Sequence, residues 1–138
     1  MSADRRRPDQ IPPQSNFAKT AGIRIVSMTP ALAVCEMPVT EALANRNGVL
    51  HGGALMTLAD NAAGSVAFAN IPANKTNTTV ESKTNFLRAA RIGDVVTARC
   101  EAIHIGRTTH VLHTTMTRGD GKKVAVTTQT HLIIDWSE

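Results

Sequence analysis

The chain has 138 residues, 42% of them apolar and 19% charged, and a formal net charge of +4, which is enough for one domain with its own hydrophobic core. No apolar run approaches the roughly 18 residues of a membrane-spanning helix, and Arg5-Arg6-Arg7 has no apolar segment behind it to make a secretory signal, so the expected setting is cytoplasmic. With 3% aromatic residues and no tyrosine, the chain lacks the stacking groups and basic clusters of a nucleic-acid binder.

Residues 1 to about 15 carry Pro8, Pro12 and Pro13 among Arg, Gln and Ser, and read as a flexible arm ahead of a single domain over 16–138. "IRIVSM" and "ALAVCEMPV" flank the turn signal Thr29-Pro30 and predict a hairpin. A connecting segment, "TEALANRNG", leads into a helix expected from about Gly53 to Ala69, where Leu55, Leu58, Ala59, Ala62, Val66 and Ala69 share one face. "NIPANKTN" ends the helix. Four Thr- and Val-rich strands are expected at about 77–88, 94–105, 108–118 and 123–135, with connections short enough to favour antiparallel neighbours in a meander. The fold class is therefore α+β: one antiparallel sheet of five to six strands wrapped around one long central helix. Cys35 and Cys100 fall in separate strands without metal-ligand spacing and read as reduced core thiols.

Between Asn47 and Asn74 the one fully charged residue, with His51 counted neutral, is Asp60. It lies off the apolar stripe, on a flank with Thr57, Gly64 and Ala67. Two readings stand side by side: a structural acid bonded to a backbone group or a basic partner, or a general base or nucleophile held in a dry pocket. Gly52-Gly53, at the start of the helix, leaves backbone N–H groups free beside the positive end of the helix dipole, which suits a developing oxyanion. Gly52 and Asp60 are eight residues apart, about 12 Å along a helix, so one reacting carbonyl cannot touch both. If both serve one atom, they come from antiparallel helices of two chains, and the protein is an obligate dimer with its sites at the interface.

The stretch "NRNGVLHGGALMTLAD" resembles the signature N-x-x-G-x-x-H-G-G followed by a helical Asp. It marks the PaaI-like branch of the hotdog-fold acyl-CoA thioesterases. The match is position for position at Asn45, Gly48, His51, Gly52, Gly53 and Asp60, with weaker likeness over about 17–135, including "NFLRAARIGD" and "HIGRTT". The resemblance implies hydrolysis of an acyl-CoA or aryl-CoA thioester with no resident cofactor and no metal, coenzyme A entering as part of the substrate. It implies that the Gly52 N–H polarises the thioester carbonyl, Asn45 orients the site, and His51 supports the Gly turn. Asp60 is the catalytic carboxylate, as nucleophile or general base, and Thr79 orients water. Asp60 and Thr79 are then supplied by the subunit opposite the Gly turn, in a homo-oligomer that is a dimer at least and expected to be a tetramer. Arg88, Arg91, Arg107 and Lys122 are the candidate contacts for the CoA phosphates. Where relatives often have a proline in "RPAR", this chain has Arg88-Ala89-Ala90-Arg91.

His104, His110, His113 and His131 read as ordinary strand residues; His110 and His113 would fall on opposite faces, a poor metal geometry. The absence of a G-x-S-x-G elbow excludes an α/β-hydrolase. Two competing functions remain: a hydratase or dehydratase on the same fold, using a His with the helical acid, and a non-catalytic acyl-CoA sensor.

Overall fold

The computed structural model of the protein describes residues 5–137; the first four residues of the expected arm and Glu138 lie outside the described residues. A 3-10 turn at Pro8–Gln10 and a short helix α1 (Asn16–Thr20) precede β1 (Arg24–Met28) and β2 (Leu32–Pro38). The long helix α2 (Gly52–Ala69) follows, then β3 (Lys75–Phe86), β4 (Val95–Ile105), β5 (Thr109–Thr117) and β6 (Lys123–Asp135). The helix begins at Gly52, one residue before the expected start, because His51 caps it. Asn70 closes it, its side-chain amide donating to Val66 O at 2.8 Å and Pro30 O at 2.7 Å. No described helix is long and apolar enough to cross a membrane.

All six strands form one antiparallel sheet in the order β1-β2-β4-β5-β6-β3. The expected four-strand meander is therefore corrected: β4, β5 and β6 meander, whereas β3 pairs with β6 at the sheet edge. A short connection fixes strand direction but not strand neighbour. Eight residues (87–94) extend up to about 26 Å, while three strand spacings amount to about 14 Å, so the chain passes β6 and β5 before entering β4. It is held on the way by Leu87 N–H to Val124 O and Leu50 N–H to Ala90 O, both 2.8 Å.

The helix stripe meets the concave face of the sheet. Leu55, Leu58, Ala59, Ala62, Val66 and Ala69 are all buried, against Cys35, Met37, Val96, Cys100, Leu112 and Met116. Both cysteines are free, buried thiols, pushed by burial up to about 11. Ala and other small side chains on α2 let sheet and helix approach closely, so the core is tight and truncating Leu58 to Ala would cost about 2–5 kcal/mol.

One bulge in β3 matters to the site. Thr79 pairs with His131 but Glu81 pairs with Thr130, leaving Val80 as the extra residue. The alternation therefore changes phase: Asn77 and Thr79 share the concave face before the bulge, and Ser82, Thr84 and Phe86 share it after. An unbroken strand would instead have turned Glu81 and Lys83 toward the helix.

The buried face of β5 and β6 also carries polar groups: His110, Thr114, Thr127, Gln129 and His131. His110 is wholly buried beside its cross-strand partner His131, and neither ring nitrogen has a hydrogen-bond partner among the described residues. Burial first, then His131 and His104, push it down to about 4 from 6.5. Its native pKa lies below its unfolded one, so stability is fully present above about pH 6.5 and is lost as pH falls towards 4, where the unfolded chain takes up the proton first. The melting temperature should drop across that window, and His110→Leu should flatten the drop; an unchanged pH profile in calorimetry of the variant would show that His110 is not its source.

Candidate active site

The helix places Asp60 on its open flank, and the bulged strand brings Thr79 to it. Thr79 Oγ1 donates to Asp60 Oδ1 at 2.7 Å, and Gln129 Nε2 donates to the same oxygen at 2.8 Å. Asp60 Oδ2 receives no hydrogen bond from a described residue, and the side chain is 57% exposed in the single chain. The dry pocket expected around Asp60 is thus not closed by one chain.

Behind Gln129 the polarity of the network is fixed. His131 Nδ1 lies 2.7 Å from Asn77 Oδ1, an acceptor, so the ring carries its proton on Nδ1. His131 Nε2 is then an acceptor, and Gln129 supplies its other amide hydrogen there at 2.9 Å. The two N–H bonds of one amide are thereby divided between imidazole and carboxylate. His131 Nε2 is 4.0 Å from Asp60 Oδ1, but the pair is no ion pair at neutral pH. Burial lowers the His131 pKa, outweighing the raising effect of Asp60, and the accepted hydrogen bond needs the neutral ring.

At the other end of the candidate site, His51 Nδ1 accepts the Gly53 N–H at 2.8 Å, and Ala54 N–H bonds His51 O at 3.0 Å. The Gly52 N–H is left without an acceptor among the described residues. A Cβ at Gly52 would come within 3.0 Å of the Phe86 ring, and one at Gly53 within 3.0 Å of His51 Nδ1, so the turn is built close. Asn45 shapes the preceding loop: its Oδ1 accepts from Asn47 N at 2.9 Å and Val49 N at 3.3 Å, while Gly48 takes a positive φ of 74°. Asp60 and Thr79 are together in this chain; Gly52, His51 and Asn45 are together two turns of helix away.

The four basic candidates do not form one cluster within the chain. Arg88, Arg91 and Lys122 lie at the end of the sheet where α2 begins, Arg88 Nη1 donating to Lys123 O at 3.0 Å. Arg107 lies in the β4–β5 turn at the opposite end. No group of three or more His, Cys, Asp or Glu among the described residues is placed to hold a metal ion.

Gln129, His131 and Asn77 were not singled out from the sequence, and His131 was read as an ordinary strand residue. A signal for them exists. Alternation in 123–135 turns Thr127, Gln129 and His131 to the face that Val, Leu and Ile should occupy. Buried polar side chains need partners, and the one acid on the facing helix is Asp60.

A six-stranded antiparallel sheet wrapped around one helix, with a free N–H at the helix start and a lone carboxylate along it, defines the hotdog class of thioesterases. Residues 47–125 match the thioesterase superfamily. A 1,4-dihydroxy-2-naphthoyl-CoA hydrolase of Listeria monocytogenes is 40% identical over 93 residues, 67% of this chain and 75% of that protein. The acyl-coenzyme A thioesterase PaaI of Escherichia coli is 34% identical over 109 residues, 79% of this chain and 76% of that one. The solved structure of PaaI superposes with a TM-score of 0.82 at 29% identity, covering 89% of this chain and 87% of its own. A thioesterase from Streptococcus pneumoniae solved with coenzyme A gives a TM-score of 0.76 at 30% identity, covering 84% and 88%. The chain belongs to the thioesterase superfamily, as a PaaI-like, hotdog-fold thioesterase.

The directed network can be checked without an activity. In nitrogen-edited NMR spectra His131 should show a protonated Nδ1 and titrate below 6.5. Because the Asp60 charge raises the His131 pKa, Asp60→Asn should lower it further; a rise, or a ring protonated on Nε2, would contradict the arrangement.

Proposed function

We propose that the chain is an acyl-CoA thioesterase that works as a homodimer, each site combining Gly52 of one chain with Asp60 of the other. The observation that carries the reading is the half-held carboxylate: Oδ1 is occupied by Thr79 and Gln129, while Oδ2 lies on the open flank of a helix whose Gly52 N–H is also unoccupied. In the reaction, the thioester oxygen sits against the Gly52 N–H, where the helix dipole and the N–H favour the negative charge of the tetrahedral state. Asp60 Oδ2 takes a proton from water as that water attacks the carbonyl carbon, or attacks the carbon itself to form a mixed anhydride that water then hydrolyses to the free acid and the restored carboxylate. In either route the C–S bond breaks, and CoA leaves as the thiolate that is then protonated. Thr79, with its hydrogen committed to Asp60, offers its oxygen to that water. Asn45 holds the loop that presents Gly52, and His51 holds the Gly turn.

The edge of β3 supports the dimer. It is a 12-residue strand paired on one side alone among the described residues, with Val80 57% and Phe86 53% exposed, and natural edges of that length are covered or paired. Antiparallel pairing of two such edges would continue the sheet and bring Gly52 of one chain towards Asp60 of the other. It would also carry Arg107 of one chain to the end where Arg88, Arg91 and Lys122 of the other could meet the CoA phosphates. Two dimers could join as a tetramer without altering these sites. The substrate class rests on the relatives, whose names specify CoA esters and one of which was solved with coenzyme A. No resident cofactor or metal enters this reading, and the cytoplasm, where CoA esters are made, is its natural setting. A hydratase would need a histidine able to meet substrate beside Asp60; within the chain the neighbour is His131, 1% exposed with both ring nitrogens engaged. Across the proposed dimer it would be His51, whose Nδ1 holds the Gly53 N–H, so assaying enoyl-CoA hydration beside CoA release separates the two reactions.

Asp60→Asn should lower kcat for CoA release by roughly 10²–10⁴-fold, the range for a lost general base, while the oligomer and melting temperature persist. Near-wild-type turnover would refute the mechanism, and no CoA release by the wild type would favour the sensor. Gln129→Leu should cost about tenfold or more in kcat with a smaller change in KM, through lost orientation. Gly52→Pro removes the N–H at the one helix position that tolerates proline, behind a His51 already extended at ψ 137°. Each variant alone should be inactive. Mixed and refolded together, Asp60→Asn and Gly52→Pro chains should regain about a quarter of wild-type activity, since half the dimers are mixed and one of their two sites is intact. No recovery from folded mixed dimers would place the site within one chain.

A further inference from the structure

Beside Asp60, the open flank of α2 borders a cavity of about 560 Å³, within the size range of small-ligand sites. Ile25 and Met28 of β1, Phe68 of α2, and Ile11 and Pro12 of the N-terminal segment supply its apolar wall; polar side chains of α2, β3 and the segment, from Asp60 to Gln14, line the rest. The segment is pinned on both sides of the cavity. Arg6 N–H bonds Ile71 O at 3.0 Å, its guanidinium donates to Lys75 O at 2.7 Å and Ala73 O at 3.3 Å, and its Cζ lies 4.9 Å from the centre of the Phe68 ring. At the far side Gln14 Nε2 donates to Ile23 O, and Ser15 Oγ caps α1 by accepting from Ala18 N at 3.1 Å. Between these anchors run Pro12 and Pro13, whose fixed φ stiffens the crossing.

We propose that residues Arg6–Ser15 are a strap that forms the outer wall of the acyl subsite and fits it to apolar acyl groups well longer than acetyl. The inference rests on the proposed hydrolysis at Asp60. An acyl chain entering past Asp60 runs between the helix flank and the strap, and an acetyl group ends before reaching it. Each methylene shielded there is worth about fourfold in binding, so the strap acts on long substrates and is silent on short ones. Gly64 makes the room: a Cβ there meets nothing within 4 Å, so the cavity begins at the helix backbone.

The test is the ratio of kcat/KM for octanoyl-CoA to that for acetyl-CoA. Arg6→Ala, which unpins the strap, should lower the ratio about fifteenfold, the worth of two shielded methylenes. Gly64→Leu, which fills the cavity, should lower it at least as much without lowering the melting temperature, since leucine is the better helix former and meets open space. An unchanged ratio in both variants overturns the proposal, and a lowered ratio in Gly64→Leu alone overturns the strap's part in it. Calorimetry with the non-hydrolysable thioether S-octyl-CoA against CoA separates the two readings. If the wild type releases no CoA from any ester yet prefers S-octyl-CoA, and Arg6→Ala loses that preference, the strap stands and the hydrolytic reading falls.

Discussion

Asp60 is held by one of its two oxygens, and much of the architecture serves that hold. Thr79 and Gln129 both donate to Oδ1, so the carboxylate is fixed in rotation and presents Oδ2 outward. The amide of Gln129 cannot turn over, because its second hydrogen is committed to His131 Nε2, and His131 cannot change tautomer without losing Asn77. Donation runs outward from the Gln129 amide in both directions, to the acid on one side and through His131 to Asn77 on the other. Each member lies on a different part of the sheet edge or the helix, and the order of strands is what brings them together. Had β3 paired with β4, as a plain meander would have it, neither Thr79 nor Asn77 would face β6.

The bulge at Val80 is the second constraint. Thr79 must turn inward toward the helix and Phe86 must lie against Gly52, seven positions further on, and an odd separation puts both on the same face only if one residue is extra. The bulge supplies it, at the point nearest the carboxylate. It also keeps Glu81 and Lys83 off the concave face, where a second charge would compete with Asp60 for Gln129.

What the sequence disclosed follows from which signals are local. The apolar stripe of Leu55, Leu58, Ala62 and Val66, the Thr- and Val-rich runs of the later strands, and the Thr29 turn are all written in short spacings, and the elements they mark formed within a residue or two of expectation. The resemblance placed Thr79 and Asp60 on the same side of the site, but gave Thr79 to water and not to the hydrogen bond it makes with the carboxylate. The place of β3 was not legible, because an eight-residue connection allows several neighbours. Gln129 and His131 were hidden by the same cause: their partner is identified only when β6 is known to lie under Asp60 and beside β3. Phase changes at a bulge leave no local mark, so strand alternation alone would have assigned the far half of β3 to the wrong face.

Under the proposed mechanism a single chain presents two half-sites, and the reason lies in the helix. Burying the stripe of α2 under the sheet requires about five turns, Gly52 to Ala69, while the reacting carbonyl of a thioester is a few ångströms across. The free N–H must be at the helix start, because only the first turn has unsatisfied donors. The carboxylate must be farther along, where β3 and β6 can reach it with neutral donors. A helix long enough for the core is thus too long for the proposed chemistry, and the two-fold axis of the proposed dimer would resolve the conflict without shortening it. The same geometry leaves a cavity on the flank of α2 beyond Asp60, between β1 and β3. In this chain that flank is crossed by the segment that Arg6 fastens to Phe68 and to the carbonyls of residues 71, 73 and 75, so the part of the molecule with the least regular structure stands where the shape of the substrate would be read.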